Sequence, residues 1–482
     1  MSTSNDSKPC RVAVVGAGLV GTLNAIYFAQ RGWHVDLFEL RKDMRLPEVK
    51  ATQRGKSINL ALSERGLSAL RNSGLDLDNL ILEAAVPLHA RMVHTTAGLQ
   101  MSQAYGKKDQ HINAVDRARL NEELLTIAEE FSNINIHFEH NLMKADLDKG
   151  ELQFFTGTGN PEKTYHTDFL VGADGAYSRT RTQLMRRIRM YYEQEYIDTA
   201  YCELTMLPIK NKNGEDEFAL DPHHLHIWPR HTFMLIALPN PDKTFTCTLF
   251  MPFGMFDELN TKELVLDFFK REFKDSVPLI GEEKLVEEYF NNPRGSLITI
   301  KCKPYHYQDR AVIIGDAAHA MVPFYGQGMN CGFQDVQVLH SILDKHGVKA
   351  KLSADGKIHG LHQAMEEYSK ERSEDAHAIC DLAMYNHYEM RSAVTSPLYL
   401  ARKKLEAVLH SMFPTAVIPL YTMVSFTTIR YSDAIKRWNR QTWWINATAT
   451  ASAVTALGIG AGLGLRYGRP LIDAMSKYLP RS

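Results

Sequence analysis

Apolar residues along this chain gather into short runs that break at glycine. Val12–Val15 runs into Gly16, Gly18 and Gly21 in "VAVVGAGLVG". Beyond the glycines, Leu23, Ile26, Tyr27 and Ala29 recur at helical spacing, and a second apolar run, Val35–Phe38, stops at Glu39. The pattern predicts strand, tight turn, helix and strand. The same break returns in "FLVGADGAYSRTR" (Phe169–Arg181) and in "VIIGDAAHAMVPFYGQGMN" (Val312–Asn330), each with an aspartate beside the glycine, Asp174 and Asp316. Residues 191–294 read as strands parted by turn signals such as "KNGED" and "PNPD", which predicts an antiparallel sheet. Residues 346–440 read as helical. In "AICDLAMYNHYEM", Ile379, Leu382, Ala383 and Met390 share one helix face, and the amide of Asn386 falls on it.

Length and charge narrow the possibilities. At 482 residues the chain exceeds one compact core, so two or three domains are expected. The formal net charge is −1 and no long basic block occurs, which argues against nucleic acid as a partner. Six cysteines are scattered without a C-x-x-C pair, pointing to a reducing compartment and away from a disulfide framework. "HHLH" (His223–His226) lacks cysteines or carboxylates at ligand spacing, so no metal is expected, and "RRIR" (Arg186–Arg189) reads as a solvated face. The short polar start "MSTSNDSKPC" leaves no room for a signal peptide or presequence before the first strand.

The tail departs from this pattern. Between Arg440 and Arg466 lie 25 residues without a charge, and a membrane crossing needs about 20. Ala, Thr, Ser and Gly dominate that stretch, yet Trp443 and Trp444 sit where an interfacial belt would lie and arginines bracket both ends. Residues 441–465 are therefore expected to form a transmembrane anchor. "GIGAGLG" within it has no preceding strand and reads as small-residue helix packing rather than a nucleotide loop.

The first strand–turn–helix–strand unit carries the dinucleotide fingerprint in full context. Its glycines allow the tight turn and the approach of a pyrophosphate, whose charge suits the amides of a helix N-terminus. Glu39 stands where a carboxylate would accept from a ribose diol. That motif alone does not separate FAD from NAD. Asp316, at a distant strand end, could accept from the ribityl chain that FAD adds, and a helix opening near Met329 and Asn330 would aim its amides at the flavin. The competing reading of Asp316 is a helix N-cap.

Three elements in the order GxGxxG, DG, GD resemble the single-component FAD-dependent aromatic hydroxylases. "GKSINLALSERG" (Gly55–Gly66), "HIWPRHTFMLIALPN" (His226–Asn240), "TFTCTLFMPF" (Thr244–Phe253) and "IPLYTMVSF" (Ile418–Phe426) resemble the branch of that family whose substrate is L-kynurenine. The resemblance runs from the first strand to about Trp438. It implies an NADPH-dependent FAD monooxygenase of tryptophan catabolism that converts L-kynurenine to 3-hydroxykynurenine with O2, through a flavin hydroperoxide. FAD would be tightly bound and NADPH transient. The resemblance also implies a place on the cytosolic face of the outer mitochondrial membrane. It assigns Val20, Leu40, Arg41, Ala61, Arg117 and Leu142 to the cofactor, beside Gly16, Gly18, Gly21, Glu39, Asp174, Asp316, Met329 and Asn330.

For the substrate it implies Arg91, Tyr105, Asn386 and Tyr421. A carboxylate-bearing substrate needs a cation, and an arginine fork suits a carboxylate better than lysine does. On residues alone Arg91 reads equally as a surface arginine, and Asn386 as an amide satisfied by backbone. Tyr421 places a hydroxyl among apolar neighbours in "VIPLYTMV". No catalytic side chain is expected, because the substrate's aniline nitrogen already activates the ring. The fold expected is α/β: a Rossmann-type FAD-binding domain (1–190 and 295–345), an interleaved antiparallel β-sheet substrate domain (191–294) and a C-terminal helical region (346–440). Two other readings stand beside it, a related flavin monooxygenase acting on a membrane lipid or quinone, and a non-catalytic binding protein of the same fold.

Overall fold

The computed structural model describes residues 9–53, 59–106, 110–157, 162–354 and 356–476. The polar N-terminus and part of the Gly55–Gly66 segment lie outside them. The strand Arg11–Val15 sits centrally in a six-stranded sheet, parallel to His34–Phe38 on one side and Phe169–Gly172 on the other. Val12 and Val14 are fully buried, and so are Val35, Leu37, Phe169 and Val171, as continuous apolar strands flanked on both faces require. Ala311–Ile313 extends the sheet in parallel beside Phe169–Gly172. All three glycine breaks therefore end on neighbouring parallel strands, with their turns at one edge of the sheet. Ligands of open parallel sheets lie beyond these carboxyl ends.

A seven-stranded sheet forms the second body. It is antiparallel except where Ala90–His94 runs parallel to His224–Arg230. Along its strands the alternation splits two cores. Trp228, Leu235 and Leu249 face helices Lys262–Glu272 and Glu282–Asn291, whereas Ile227, Met234 and Phe250 face the C-terminal helices. The long helix Leu361–Arg391 crosses that second face and carries Ile379, Leu382, Ala383 and Met390 into the core, on the face read from its periodicity.

Two expectations need correction. Strands Ala90–His94 and Gln100–Ala104, assigned by sequence to the FAD-binding domain, pair into the substrate sheet, and Gly295–Lys303 does the same against Tyr191–Met206. Strand pairing is a long-range event, so a boundary drawn along the chain could not register it. The tail does form a helix, Tyr431–Ser476. Among the described residues, however, no helix is long and apolar enough to cross a membrane, so the transmembrane span expected over 441–465 is not supported. Alanine, threonine, serine and glycine fill most of that stretch and carry little apolar surface. Side chains beyond residue 459 lie outside the described set. All six cysteines are free and buried.

Candidate active site

A continuous cavity of about 770 Å³ opens between the two sheets, and its two ends differ in kind. Gly16, Gly18, Val20, Glu39, Leu40, Arg41, Ala61, Arg117, Leu142, Asp174, Asp316 and Met329 line one end. At this end backbone geometry decides. Gly16 has φ +103°, and a β-carbon there would come within 2.4 Å of the Ala173 carbonyl oxygen. One on Gly18 would meet nothing within 4 Å. Gly21 does not line the cavity. It lets the helix Leu19–Gln30 press onto the turn, since a β-carbon would lie 1.9 Å from the Gly16 carbonyl oxygen.

Glu39 ends its strand with both carboxylate oxygens on backbone: Ala17 N–H donates to Oε2 and Arg41 N–H to Oε1, each at 3.0 Å. It thereby stiffens the glycine turn as well as facing the cavity. Asp174 is also engaged, accepting from Ser178 Oγ at 2.5 Å and from the Thr180 N–H and hydroxyl at 2.9 and 3.1 Å. Its carboxylate staples the turn before the helix Arg179–Met185, and Asp174 and Gly175 both line the cavity. Asn330 lies outside the cavity lining. Its amide oxygen accepts from Ser63 N–H, and its amide nitrogen donates to the carbonyls of Ala61 and Gly326.

Asp316 behaves differently. It is the first residue of the helix Asp316–His319 and makes no capping bond, so the N-cap reading fails. Its side chain is exposed only toward the deep cavity, and that burial raises its carboxyl above the ordinary value, with Arg117 pulling the other way. The turn beneath it is held from behind. Gly315 N–H donates to Asp335 Oδ2 at 2.8 Å, His319 Nε2 meets the same oxygen at 2.6 Å, and Arg372 donates to Oδ1 at 2.7 and 2.9 Å. Burial opposes every charge in this group. Against it, His319 and Arg372 hold Asp335 below its ordinary value, and Asp335 holds the His319 ring well above its own. Asp335 is a positioning residue the sequence reading missed. The signal was one carboxylate among Cys331, Val336 and Leu339 on an apolar helix face.

His319, Cys331 and Asp335 also bring metal-ligand atoms within 4.8 Å of one another. Arg372 Nη2, 3.3 Å from Cys331 Sγ and 2.7 Å from Asp335 Oδ1, already places a cation there.

At the other end side chains decide. Arg91, Tyr105, Asn386 and Tyr421, from four distant segments, line the same cavity with Leu225, Ile227, Ile236, Phe250 and Phe324. Arg91 is nearly buried, so the surface reading fails. Its Nε donates to Gln103 Oε1 at 3.0 Å, and its terminal nitrogens reach Glu389 Oε1 at 3.3–3.4 Å and the Tyr399 hydroxyl at 3.1 Å. Burial works against its charge, but Tyr399 and Glu389 outweigh it and raise the guanidinium further. Glu389 and Tyr399 are contacts that sequence reasoning did not find.

The rings of Tyr105 and Tyr421 stack at 5.0 Å, and Tyr421 stacks on Tyr325 at 5.7 Å. The Tyr105 hydroxyl is buried without a hydrogen-bond partner among the described residues. Burial also pushes Tyr421 up to about 12, so both phenols stay protonated as donors. Asn386 donates to the Phe324 carbonyl at 2.7 Å, the backbone outcome anticipated for it, and its own carbonyl oxygen stays unpartnered among the described residues. The arrangement is an aromatic slot with one buried cation and an unpaired hydroxyl, opening onto a glycine-turned cradle for a long cofactor.

The family described as FAD binding domain matches residues 9–383. The kynurenine 3-monooxygenase of Sus scrofa is 44% identical over 443 residues, covering 92% of this chain and 89% of its own. That of Yarrowia lipolytica is 43% identical over 438 residues, with 89% and 92% covered. Among solved structures, a tetrameric 2-methyl-3-hydroxypyridine-5-carboxylic acid oxygenase superposes with a TM-score of 0.62 at 18% identity, covering 82% of this chain and 95% of that one. This last match speaks for the fold alone.

Proposed function

From the premise that this chain belongs to the kynurenine 3-monooxygenase family and is an FAD-dependent monooxygenase, we propose that it converts L-kynurenine to 3-hydroxykynurenine with NADPH and O2. The observation that carries the substrate choice is the buried Arg91 beside the unpaired Tyr105 hydroxyl, in one cavity with the glycine turn. The residues fit FAD. The Gly16 turn packs against the Ala173 backbone too closely for a β-carbon, Gly18 faces open space in which a pyrophosphate fits, and the Asp316 carboxylate faces the cavity with no capping duty. Gly16, Gly18 and Glu39 would hold its ADP half, Asp316 its ribityl chain, and the helix opening at Gly328 would face its ring. When bound, FAD supplies the chemistry that activates oxygen.

The chain's own residues bind, orient and keep dry. Arg91 presents a buried guanidinium to the amino-acid carboxylate, and the Tyr105 hydroxyl donates to the same group. The Asn386 carbonyl oxygen is free to accept from the substrate's amine. The stacked tyrosines offer flat faces to its ring, and Leu225, Ile227, Ile236 and Phe250 exclude water. The aniline nitrogen of kynurenine already enriches the neighbouring ring carbon, so no side chain has to ionise the substrate. Location at the outer mitochondrial membrane belongs to this proposal on the family resemblance alone, and subcellular fractionation against outer-membrane markers would test it. The lipid or quinone reading fits poorly, because a charged clamp closes the far end of the cavity.

The test is NADPH oxidation by the purified holoenzyme with and without L-kynurenine, with product mass. Acceleration together with a product one oxygen heavier supports the proposal. A yellow protein indifferent to kynurenine keeps the flavoprotein fold and removes the substrate.

A further inference from the structure

We infer, on the function proposed above, that Arg65 is a positioning residue for the hydroxylation: it fixes the helix carrying Tyr421 against the cofactor end of the cavity. Arg65 itself does not line the cavity. Tyr421 is the second residue of a six-residue helix, Leu420–Ser425. A helix that short does not hold its own place, because isolated helices need roughly 12–15 residues to be stable in water. Its last carbonyls also lack partners within the helix. Arg65 supplies the donors. Its Nε donates to the Val424 carbonyl at 2.9 Å and its Nη2 to that of Met423 at 3.2 Å, and Nη2 reaches the Ile429 carbonyl beyond the helix. A guanidinium holds its donors in a rigid plane, so these contacts fix the helix in direction as well as in distance.

The other end of Arg65 is anchored on the cofactor side. It is the second residue of the helix Glu64–Arg71, whose N-cap Ser63 donates its N–H to Asn330 Oδ1 at 2.9 Å. Asn330 in turn holds the carbonyl of Ala61, which lines the cofactor end, at 2.7 Å. Arg65 Nη1 donates to Gln334 Oε1 at 3.3 Å, on the helix Gly328–Lys345. Arg372 Nη1 donates to the same oxygen at 3.3 Å, and Arg372 also holds Asp335 beneath Gly315. One run of buried hydrogen bonds therefore joins the Tyr421 helix to the turn of Asp316. The Arg65 guanidinium also lies 3.9 Å over the Tyr431 ring, whose hydroxyl donates at 3.0 Å to Gln327, the residue before Gly328.

Arg65 is fully buried, and these four acceptors are all neutral oxygens. Burial works against its charge, and apolar side chains would fill the same space with less desolvation. What the guanidinium adds is direction, and direction decides the fate of oxygen. NADPH and a proton deliver two electrons to one O2. With the substrate ring in register, one oxygen atom enters the ring and the other leaves as water. Out of register, both leave together as hydrogen peroxide. A slip of the Tyr421 helix should therefore cost coupling before it costs affinity.

The test compares FAD-saturated wild type with Arg65→Lys and Gln334→Met. It measures 3-hydroxykynurenine and hydrogen peroxide formed per NADPH, KM for kynurenine, and the flavin absorbance change on adding kynurenine without NADPH. Lysine keeps the charge, but its ammonium has three donors and cannot span the four acceptors. In Arg65→Lys the peroxide share should rise roughly threefold, with KM within about twofold of wild type and a smaller absorbance change. Gln334→Met keeps the contacts to the Tyr421 helix and cuts the link toward Asp335, so its peroxide share should rise by less. A merely structural role would lower the melting temperature and leave product per NADPH and the absorbance change at wild-type values. That result in both variants overturns the assignment, and in Gln334→Met alone it does so should Arg65→Lys fail to fold. A wild type that forms no 3-hydroxykynurenine removes the substrate reading and this assignment with it, a failure seen before any variant is compared.

Discussion

One end of the cavity is shaped by a glycine turn, whereas the other is assembled from side chains of distant segments, and the two were legible from the sequence to different degrees. Around Gly16 the ligand surface is a turn that only residues without a β-carbon can make, so the residue type announces the geometry. Around Arg91 the surface is assembled from strands Ala90–His94 and Gln100–Ala104, the helix Leu361–Arg391 and the short helix Leu420–Ser425. Each residue there is ordinary in its own segment and acquires meaning only from its neighbours. A backbone site should therefore fail as a whole when one atom is added, and a side-chain site should lose affinity by degrees.

Gly16→Ala should have the largest effect. The added β-carbon meets the Ala173 carbonyl oxygen at 2.4 Å on a residue with positive φ, so the protein should purify colourless, read by flavin absorbance. A yellow Gly16→Ala protein would break the comparison at its root. Next comes Arg91→Met, which removes the cation but leaves the turn intact. Kinetics should show KM for kynurenine raised roughly 100-fold, about 3 kcal/mol, with FAD retained. Loss of colour instead would show that the two ends are not separable.

Asp335→Asn probes the exception, a long-range side chain at the backbone end. Weakening its hold on Gly315 should lower FAD affinity about tenfold, on the order of 1–2 kcal/mol, with KM for kynurenine unchanged in the flavin-saturated enzyme. Tyr105→Phe should be milder. It removes a buried hydroxyl with no partner among the described residues, so the melting temperature should hold or rise while KM increases about fivefold, roughly 1 kcal/mol.

The smallest effect concerns a buried carboxyl that feels a cavity-lining arginine. Burial pushes the Glu203 carboxyl, on the substrate-sheet strand Tyr191–Met206, from 4.5 up to about 7, against the pull of Arg117 at the cofactor end. A carboxyl raised in the folded state contributes stability that is full below 4.5 and is lost as pH rises through about 7. Glu203→Gln should therefore flatten the melting temperature between pH 5 and 8 and raise it by about 2 °C at pH 8. An unchanged pH profile would place the carboxylate in better contact with Arg117 than its burial allows.

What the sequence determined by itself was local and repetitive. The glycine turn, the parallel strands that end in it, the Asp316 turn and the apolar face of the helix bearing Asn386 follow from side-chain volume and period within a few residues. Those features act over one or two turns of chain, where spacing along the sequence is spacing in space. Tertiary structure alone decided the rest. It drew residues 90–104 into the substrate sheet, set Glu389 and Tyr399 against Arg91, and placed Asp335 beneath Gly315. It left Asp174 stapling its own turn. Strand pairing and buried charge pairing join residues hundreds of positions apart. Their energy depends on distances that the folded chain sets and the linear pattern does not carry.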